Sequence, residues 1–432
     1  MDYSNEPHGV YFFIDNKSFY ASCESVERKL NPLKSILVVM SQQANTGGGL
    51  VLASSPRAKE LFGISNVTRQ YDLPKDKRLL IVPPRMNLYI KRNLQINQIF
   101  AEFAAEKDIL PYSIDESLID MTHSWKLFGK SVREVARKIQ LTVRNRLGLY
   151  TTVGIGDNPM QAKLALDIYA KHNHELMGEI HYDSVPQKIW SIKHLTDICG
   201  IGKHMELRLN SLGIYTVNDI AHANPYLLKD KLGVIGTQIF ATAWGIDRSN
   251  MKQQLKPQER SYSNGQVLPR DYFKQAESEV MIKEMAEQVA LRIRFHGLQT
   301  SWISLAIGFS FAQKEKSGAR GFAHSMKIEA TDDGLLIANR LVKMFREYWH
   351  GETIRNVMID YGKLRPKCGN QLNLFVDNKA IIKRNRLNQV KDQIIQKFGT
   401  TSLVYADSLE SGATAIQRAG LVGGHRGGNS YE

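Results

Sequence analysis

Three acidic residues stand where a sheet could gather them. Asp15 closes a short apolar run at residues 10–15, and Asp115 and Glu116 sit side by side in a second strand-like stretch at 112–121. A sheet that paired these strands would set three carboxylates at one edge, where they repel one another. Hard divalent cations relieve such repulsion, and Mg²⁺ held between carboxylates and substrate phosphates can assist in-line nucleotidyl transfer by the two-metal scheme. The alternative at this point is three unrelated surface acids.

Two further groups have types that suit phosphate. Ser55, Arg57 and Lys59 follow a Gly-Gly-Gly run in a small insertion, where basic side chains could reach over a bound anion. Gly200, Gly202 and Lys203 lie in the stretch Ile198-Cys199-Gly200-Ile201-Gly202-Lys203, followed by Leu209, Leu212-Gly213-Ile214 and Thr216-Val217. Glycines there permit a tight turn that turns backbone N–H groups and a helix N-terminus toward a phosphate, which binds a nucleic-acid backbone without reading bases.

The elements that must position these residues follow from periodicity. After the strand at 10–15, Phe19, Cys23, Val26 and Leu30 recur at helical spacing over 18–30. Residues 131–147 open on a Ser-x-x-Glu capping pattern before Val132, Val135, Ile139 and Val143. A further strand is expected at 151–156, so the first third reads as an α+β sheet with helices packed on a face. Residues 186–245 are helical and glycine-punctuated, and 253–262 read as a polar linker. Beyond it the order is extended 261–268, helix 275–295, strand 302–311, strand 324–329, helix 334–349 and strand 355–361, a split βαββαβ unit. In its second strand Ile303, Leu305, Ile307, Phe309 and Phe311 alternate, giving one apolar face. The polar tail from about 364 is expected to be largely flexible.

At 432 residues the chain is long enough for several domains, and 57 Lys and Arg against 43 Asp and Glu give a formal charge of +14 that favours a polyanionic partner. Three scattered cysteines, Cys23, Cys199 and Cys368, fit neither a disulfide framework nor a four-ligand zinc site. No apolar run approaches a membrane span and no signal peptide is evident, so a cytoplasmic location is expected.

Asp15-Asn16-Lys17-Ser18-Phe19-Tyr20-Ala21-Ser22-Cys23-Glu24 resembles the first motif of the Y-family DNA polymerases, in their UmuC-like (ImpB/MucB/SamB) lesion-bypass branch. Ser113-Ile114-Asp115-Glu116-Ser117 resembles the second, and Val153-Gly154-Ile155-Gly156 with Ala162-Lys163-Leu164-Ala165 the third. The resemblance spans about residues 8–375 and departs at Lys17, where many members carry Asp; UmuC-like members also lack that acid. It implies catalytic Asp15, Asp115 and Glu116 holding two Mg²⁺ ions, with Asn16 lending a backbone carbonyl. Tyr20 would be the steric gate against a ribose 2′-OH, with Phe19 as the alternative. Ser55, Arg57, Lys59 and Lys163 would contact the nucleotide triphosphate, Lys163 foremost, and Gly200, Gly202 and Lys203 the DNA backbone. Gln371, Leu372, Leu374 and Phe375 resemble the peptide that binds the bacterial sliding clamp.

The implied fold is a multidomain α+β right-hand polymerase. A ferredoxin-like palm would occupy 1–30 and 75–185, fingers 31–74, a thumb with a helix-hairpin-helix 186–252, a βαββαβ little finger 253–365, and a flexible clamp-binding tail 366–432. The implied function is low-fidelity, template-directed DNA synthesis across lesions in DNA repair and an SOS-type damage response, on primer-template DNA and dNTP, with an accessory subunit left open. A catalytically inert, clamp-tethered DNA-binding protein is the rival from another class, and a different nucleotidyl transferase or cyclase on a similar palm is a second.

Overall fold

The structure, a computed structural model, describes residues 1–41, 49–251, 259–367 and 378–426, with 253 and 257. These fall into two compact units that divide the chain near residue 254.

The first unit begins with β1 (Tyr11–Asn16), α1 (Phe19–Glu27), β2 (Leu37–Ser41), β3 (Leu50–Ser54), α2 (Pro56–Phe62), β4 (Leu80–Val82) and α3 (Met86–Phe100). It continues with β5 (Ile109–Pro111), β6 (Glu116–Asp120), α4 (Val132–Leu147), β7 (Thr151–Gly156), α5 (Pro159–Leu164) and β8 (Met177–Ile180). The main sheet has the order β5-β6-β1-β7-β8, with β1 antiparallel to both neighbours and β8 parallel to β7. Both faces of β1 are covered: Phe12 and Ile14 are fully buried, and Phe13 packs on Leu118, Ala162, Leu166 and Ala170. Strands covered on both faces read as apolar runs rather than alternating ones, as residues 10–14 do.

Ser131 caps α4 by accepting the Glu134 N–H, while the Glu134 carboxylate accepts from Lys130 rather than from Ser131, so the reciprocal half of the expected box is shifted by one residue. The small sheet β3-β2-β4 with α2 has its own core of Val38, Met40, Val51, Ala58, Ile64, Leu73 and Leu79. After it come α6 (Val185–Lys188), α7 (Lys203–Asn210), α8 (Val217–His222), α9 (Pro225–Leu232) and α10 (Val234–Ala243), which share a core including Ile198, Ile201, Leu209, Val217, Ile220, Leu228 and Ile239.

The second unit runs β9 (Tyr262–Tyr272), α11 (Gln275–Phe295), β10 (Leu298–Phe309), α12 (Phe311–Ser317), β11 (Gly321–Thr331), α13 (Gly334–Tyr348), β12 (Ile354–Gly362) and α14 (Asn378–Phe398). Its antiparallel sheet has the order β11-β10-β12-β9. Ile303, Leu305, Ile307 and Phe309 bury one face against α11 and α13, as their alternation requires. Phe311 does not continue the pattern. Ser310 caps α12 there, and Phe311 is 74% exposed on that helix.

The expectation of a flexible tail is overturned for residues 378–426. Asp392 pairs with the nearly buried Arg294 at 2.6 Å, Tyr272 donates to the Gly412 carbonyl at 2.8 Å, and Glu284 accepts the N–H groups of Thr414 and Ala415 at 2.8 and 3.1 Å. The segment reads as polar because its anchors are charges and backbone bonds rather than an apolar stripe. The segment 371–375 lies outside the described residues.

Candidate active site

Asp15 in β1 stands directly opposite Glu116 in β6 and opposite Thr152 in β7. Residues opposed across antiparallel strands project to the same face, so the two carboxylates and the hydroxyl share one side of the sheet. Asp115 is not in the strand, which starts at Glu116; it occupies the bend before it. Ser113 makes that bend, its Oγ accepting the N–H groups of Asp115 and Glu116 and donating to Asp115 Oδ1 at 2.7 Å. The Asp115 carbonyl is held by both the backbone N–H and the side-chain amide of Asn16, each at 2.9 Å. β1 and the bend are thereby locked together.

Burial raises the Asp15 pKa, and the charges of Asp115 and Glu116 push the same way, against Lys171 and the hydroxyl of Thr152. A site that disfavours its own negative charge is one that a cation would stabilise. All candidate ligands are oxygen donors, suited to Mg²⁺, and the side-chain Oδ1 of Asn16 is buried without a hydrogen-bond partner. Even so, among the described residues no three carboxylate, imidazole or thiol groups are gathered as a ready-made cage. Glu116 is turned onto Lys163 at 2.6 Å and Asp115 onto Ser113, so ammonium and hydroxyl groups hold the acids. The residue types fit a divalent ion, and side-chain rotation at Glu116 and Asp115 is what would admit it.

The glycines of the third motif explain how Lys163 arrives. A Cβ on Gly154 would come within 2.1 Å of the Ala162 carbonyl and within 2.3 Å of the Leu166 nitrogen. Only a bare backbone lets α5 and its continuation lie on β7 this closely. Lys163 then projects beside Glu116, its ammonium 4.7 Å from the centroid of the Phe13 ring. Burial draws its pKa down, but the hydrogen bond to Glu116 and the charges of Asp167 and Glu116 outweigh that and leave it raised.

Of the aromatic pair, Phe19 is buried in the core and Tyr20 is half-buried. The Tyr20 pKa is raised by burial, with the nearby Asp115 charge adding to it. Of the two, Tyr20 is the ring left partly open to solvent, with its hydroxyl under the influence of the Asp115 charge.

In the insertion, Ser55 departs from its expected place at a triphosphate. It is fully buried, its hydroxyl donating to the Ser35 carbonyl and accepting from the N–H groups of Leu37 and Ala58. Arg57 is exposed and paired with Glu60 at 2.8 Å. Lys59 is the basic residue electrostatically coupled to Asp15; partial desolvation lowers its pKa, with Lys171 adding and Asp15 opposing.

Gly200, with φ +95°, makes the turn of the hairpin, while Gly202 at φ −90° precedes α7 without a side-chain cap. Gly200, Gly202 and Lys203 are exposed over buried Ile198 and Ile201. A cleft of about 1020 Å³ runs from Lys163 and Asp167 to Cys199–Gly202.

Sequence reasoning missed Thr152, Asp167, Lys171 and Tyr89. The spacing Lys163-x₃-Asp167 was the available signal for Asp167, since i,i+4 pairs meet on a helix. Nothing local marks Tyr89, which joins Tyr20 only in the fold.

Residues 14–167 match the impB/mucB/samB family and residues 259–374 the C-terminal domain of that family. The chain is similar to UvrX of Bacillus subtilis, a protein named for UV-damage repair, with 37% identity over 99% of this chain and 100% of that one. It is also similar to DNA polymerase IV 2 of the same species, with 34% identity over 96% of this chain and 98% of the relative. Among solved structures, a Y-family DNA polymerase chimera superposes with a TM-score of 0.66 at 19% identity, covering 83% of this chain and 99% of that one. The multidomain α+β fold is shared with it.

Proposed function

This chain belongs to the impB/mucB/samB family of Y-family DNA polymerases, and from that premise we propose that it performs low-fidelity translesion synthesis on primer-template DNA. It is a DNA-directed DNA polymerase, as its DNA polymerase IV relatives are named. The observation that carries the reading is the register Asp15 opposite Glu116, with Asp115 bound to Asn16 and with Glu116 held by Lys163, which lines a cleft that reaches the glycine hairpin.

Asp15, Asp115 and Glu116, with the Asn16 carbonyl, would hold two divalent cations, Mg²⁺ on this reading, which when bound polarise the reacting phosphate and lower the pKa of the primer 3′-OH. The protein's own groups do the rest. Lys163 and Lys59 place positive charge beside the acids, where the triphosphate of a dNTP needs it. Tyr20 closes the face against which a deoxyribose would rest, and a 2′-OH would meet its ring. Backbone N–H groups at Gly202 and Lys203 hold a DNA phosphate, which fixes the duplex without reading its sequence. Base pairing with the template then selects the nucleotide. The palm (1–30 and 75–185), fingers (31–74), thumb (186–252) and little finger (253–365) follow this assignment, and Gln371, Leu372, Leu374 and Phe375 tether the enzyme to the bacterial sliding clamp.

Such an enzyme belongs to damage tolerance, within an SOS-type response. Primer extension with Mg²⁺ on matched undamaged and lesion-bearing templates tests this reading. Extension past the lesion supports it; binding without extension on either template would leave the inert, clamp-tethered rival standing.

A further inference from the structure

The helix that leaves β7 brings two lysines to one place although their spacing alone would part them. Lys163 and Lys171 are eight positions apart, and on a regular α-helix of about 100° per residue that separation turns the second roughly 80° away from the first. Between them the helix widens into a π turn over Ala165–Tyr169 and tightens into a 3-10 turn at Ala170–His172. A π turn absorbs one residue more than an α turn, and such turns are frequent at functional sites.

The outcome is an alternating set of charges. Asp167, on the helix, pairs with Lys163 at 3.3 Å and with Lys171 at 2.8 Å. Lys171 also lies 3.6 Å from Asp15 and 3.8 Å from Glu116 on the sheet. Among the described residues it is the one ammonium within ion-pair distance of both opposed carboxylates. Lys163 holds Glu116 at 2.6 Å but makes no such pair with Asp15.

Asp15 and Glu116 face each other across the strand pair with Asp15 largely desolvated, and the charge of Glu116 disfavours that of Asp15, so an intervening cation relieves both. Lys171 lies where that cation is needed and has a second partner, Asp167, to which it can retire. We propose that Lys171 is a built-in counter-ion for Asp15 and Glu116. It holds the two acids before a divalent cation arrives, gives way toward Asp167 when one does, and so sets the affinity of the site for that cation. The inference rests on the reading of Asp15 and Glu116 as metal ligands. Removing the ammonium takes away a competitor and adds one net negative charge, and both changes strengthen binding of a doubly charged ion.

Thermal unfolding of the full chain, free of DNA and nucleotide, in EDTA and across an MgCl₂ titration, tests this. The set is the wild type, Lys171→Met, Lys171→Gln, Lys171→Arg and Asp15→Asn. In EDTA the Met and Gln variants should unfold a few degrees below the wild type, on the order of the effect of one lost ion-pair contact. MgCl₂ should then raise their Tm by more than it raises that of the wild type, with half-saturation at a concentration about threefold lower or less. Lys171→Arg should behave as the wild type. A merely structural lysine would lower Tm without moving the half-saturation point. If the Met and Gln variants keep the wild-type half-saturation, the counter-ion role is wrong, while a saturable wild-type response that Asp15→Asn lacks still upholds the metal site. If the wild type shows no such response beyond that of Asp15→Asn, the metal reading falls and the role of Lys171 falls with it.

Discussion

Tyr20 lies face to face with Tyr89, ring centroids 4.3 Å apart and planes 13° from parallel. Tyr89 is itself fixed: it is fully buried, and its hydroxyl donates at 2.8 Å to Glu24, a fully buried carboxylate that also takes hydrogen bonds from Arg85 and Arg28. The half-buried ring that would meet a ribose 2′-OH is thus backed by a rigid aromatic whose position is set three residues deep.

Shrinking the gate should therefore relax sugar choice. Tyr20→Ala is expected to raise rNTP use relative to dNTP on the order of tenfold or more, read by single-nucleotide incorporation. Tyr89→Leu should move it the same way by less, because Tyr20 stays but loses its backing. Phe19, buried at 3% exposure, should affect stability rather than sugar choice when truncated. Unchanged discrimination in Tyr20→Ala would show the gate to be elsewhere.

The two glycines of the hairpin should behave differently. Gly202 has an ordinary φ of −90° and open space around its missing Cβ, so Gly202→Val should fold normally yet hold phosphate less closely. Its affinity should fall alike for all DNA sequences, with a salt dependence shallower by about one phosphate contact. Gly200→Val, at φ +95°, should lower Tm as well, because that conformation is strained for any residue with a Cβ. Salt-insensitive binding by the wild type would contradict both.

A pH effect follows from His181, whose pKa is pushed up to about 10 from 6.5, first by the hydrogen bond to Asp157 at 2.7 Å and then by Glu179. A group protonated more tightly in the folded state stabilises it fully below the unfolded pKa, and that contribution declines as pH rises toward the folded one. His181→Gln should accordingly lower Tm at pH 6, with the deficit shrinking across pH 6.5 to 10. The side chain is 41% exposed, so the effect is small. A deficit that grows with pH would reverse the assignment.

In the second unit, Glu284→Gln should cost about 1–2 kcal/mol, since a charged acceptor for two backbone N–H groups is replaced by a neutral one. Leu374→Ala with Phe375→Ala should leave Tm and unaided synthesis unchanged and abolish stimulation by a sliding clamp. A fall in Tm with stimulation intact would instead make these residues part of the fold.

Much of this was legible along the chain, and the exceptions share a cause. Strands and amphipathic helices announce themselves by period, so β1, α4, β7 and the βαββαβ unit were readable, as were the acids through their motifs. Asp115 was placed in a strand because nothing in its neighbours' polarity reveals a bend made by the Ser113 hydroxyl. The π turn hid Lys171, since a 3.6-residue period sends it to the wrong face. Tyr89 and the folding of 378–426 onto α11 depend on partners remote in sequence, joined by charges and backbone bonds that carry no periodic signature.

Nucleotidyl transfer is assigned to the acids gathered by β1, β6 and the bend that precedes β6. The most direct test is single-nucleotide incorporation with Mg²⁺ by purified Asp115→Ala and Glu116→Ala, alongside primer-template affinity and Tm. Incorporation should fall by about 10³-fold or more, with affinity and Tm close to the wild type. Near-normal incorporation by either variant would contradict the assignment.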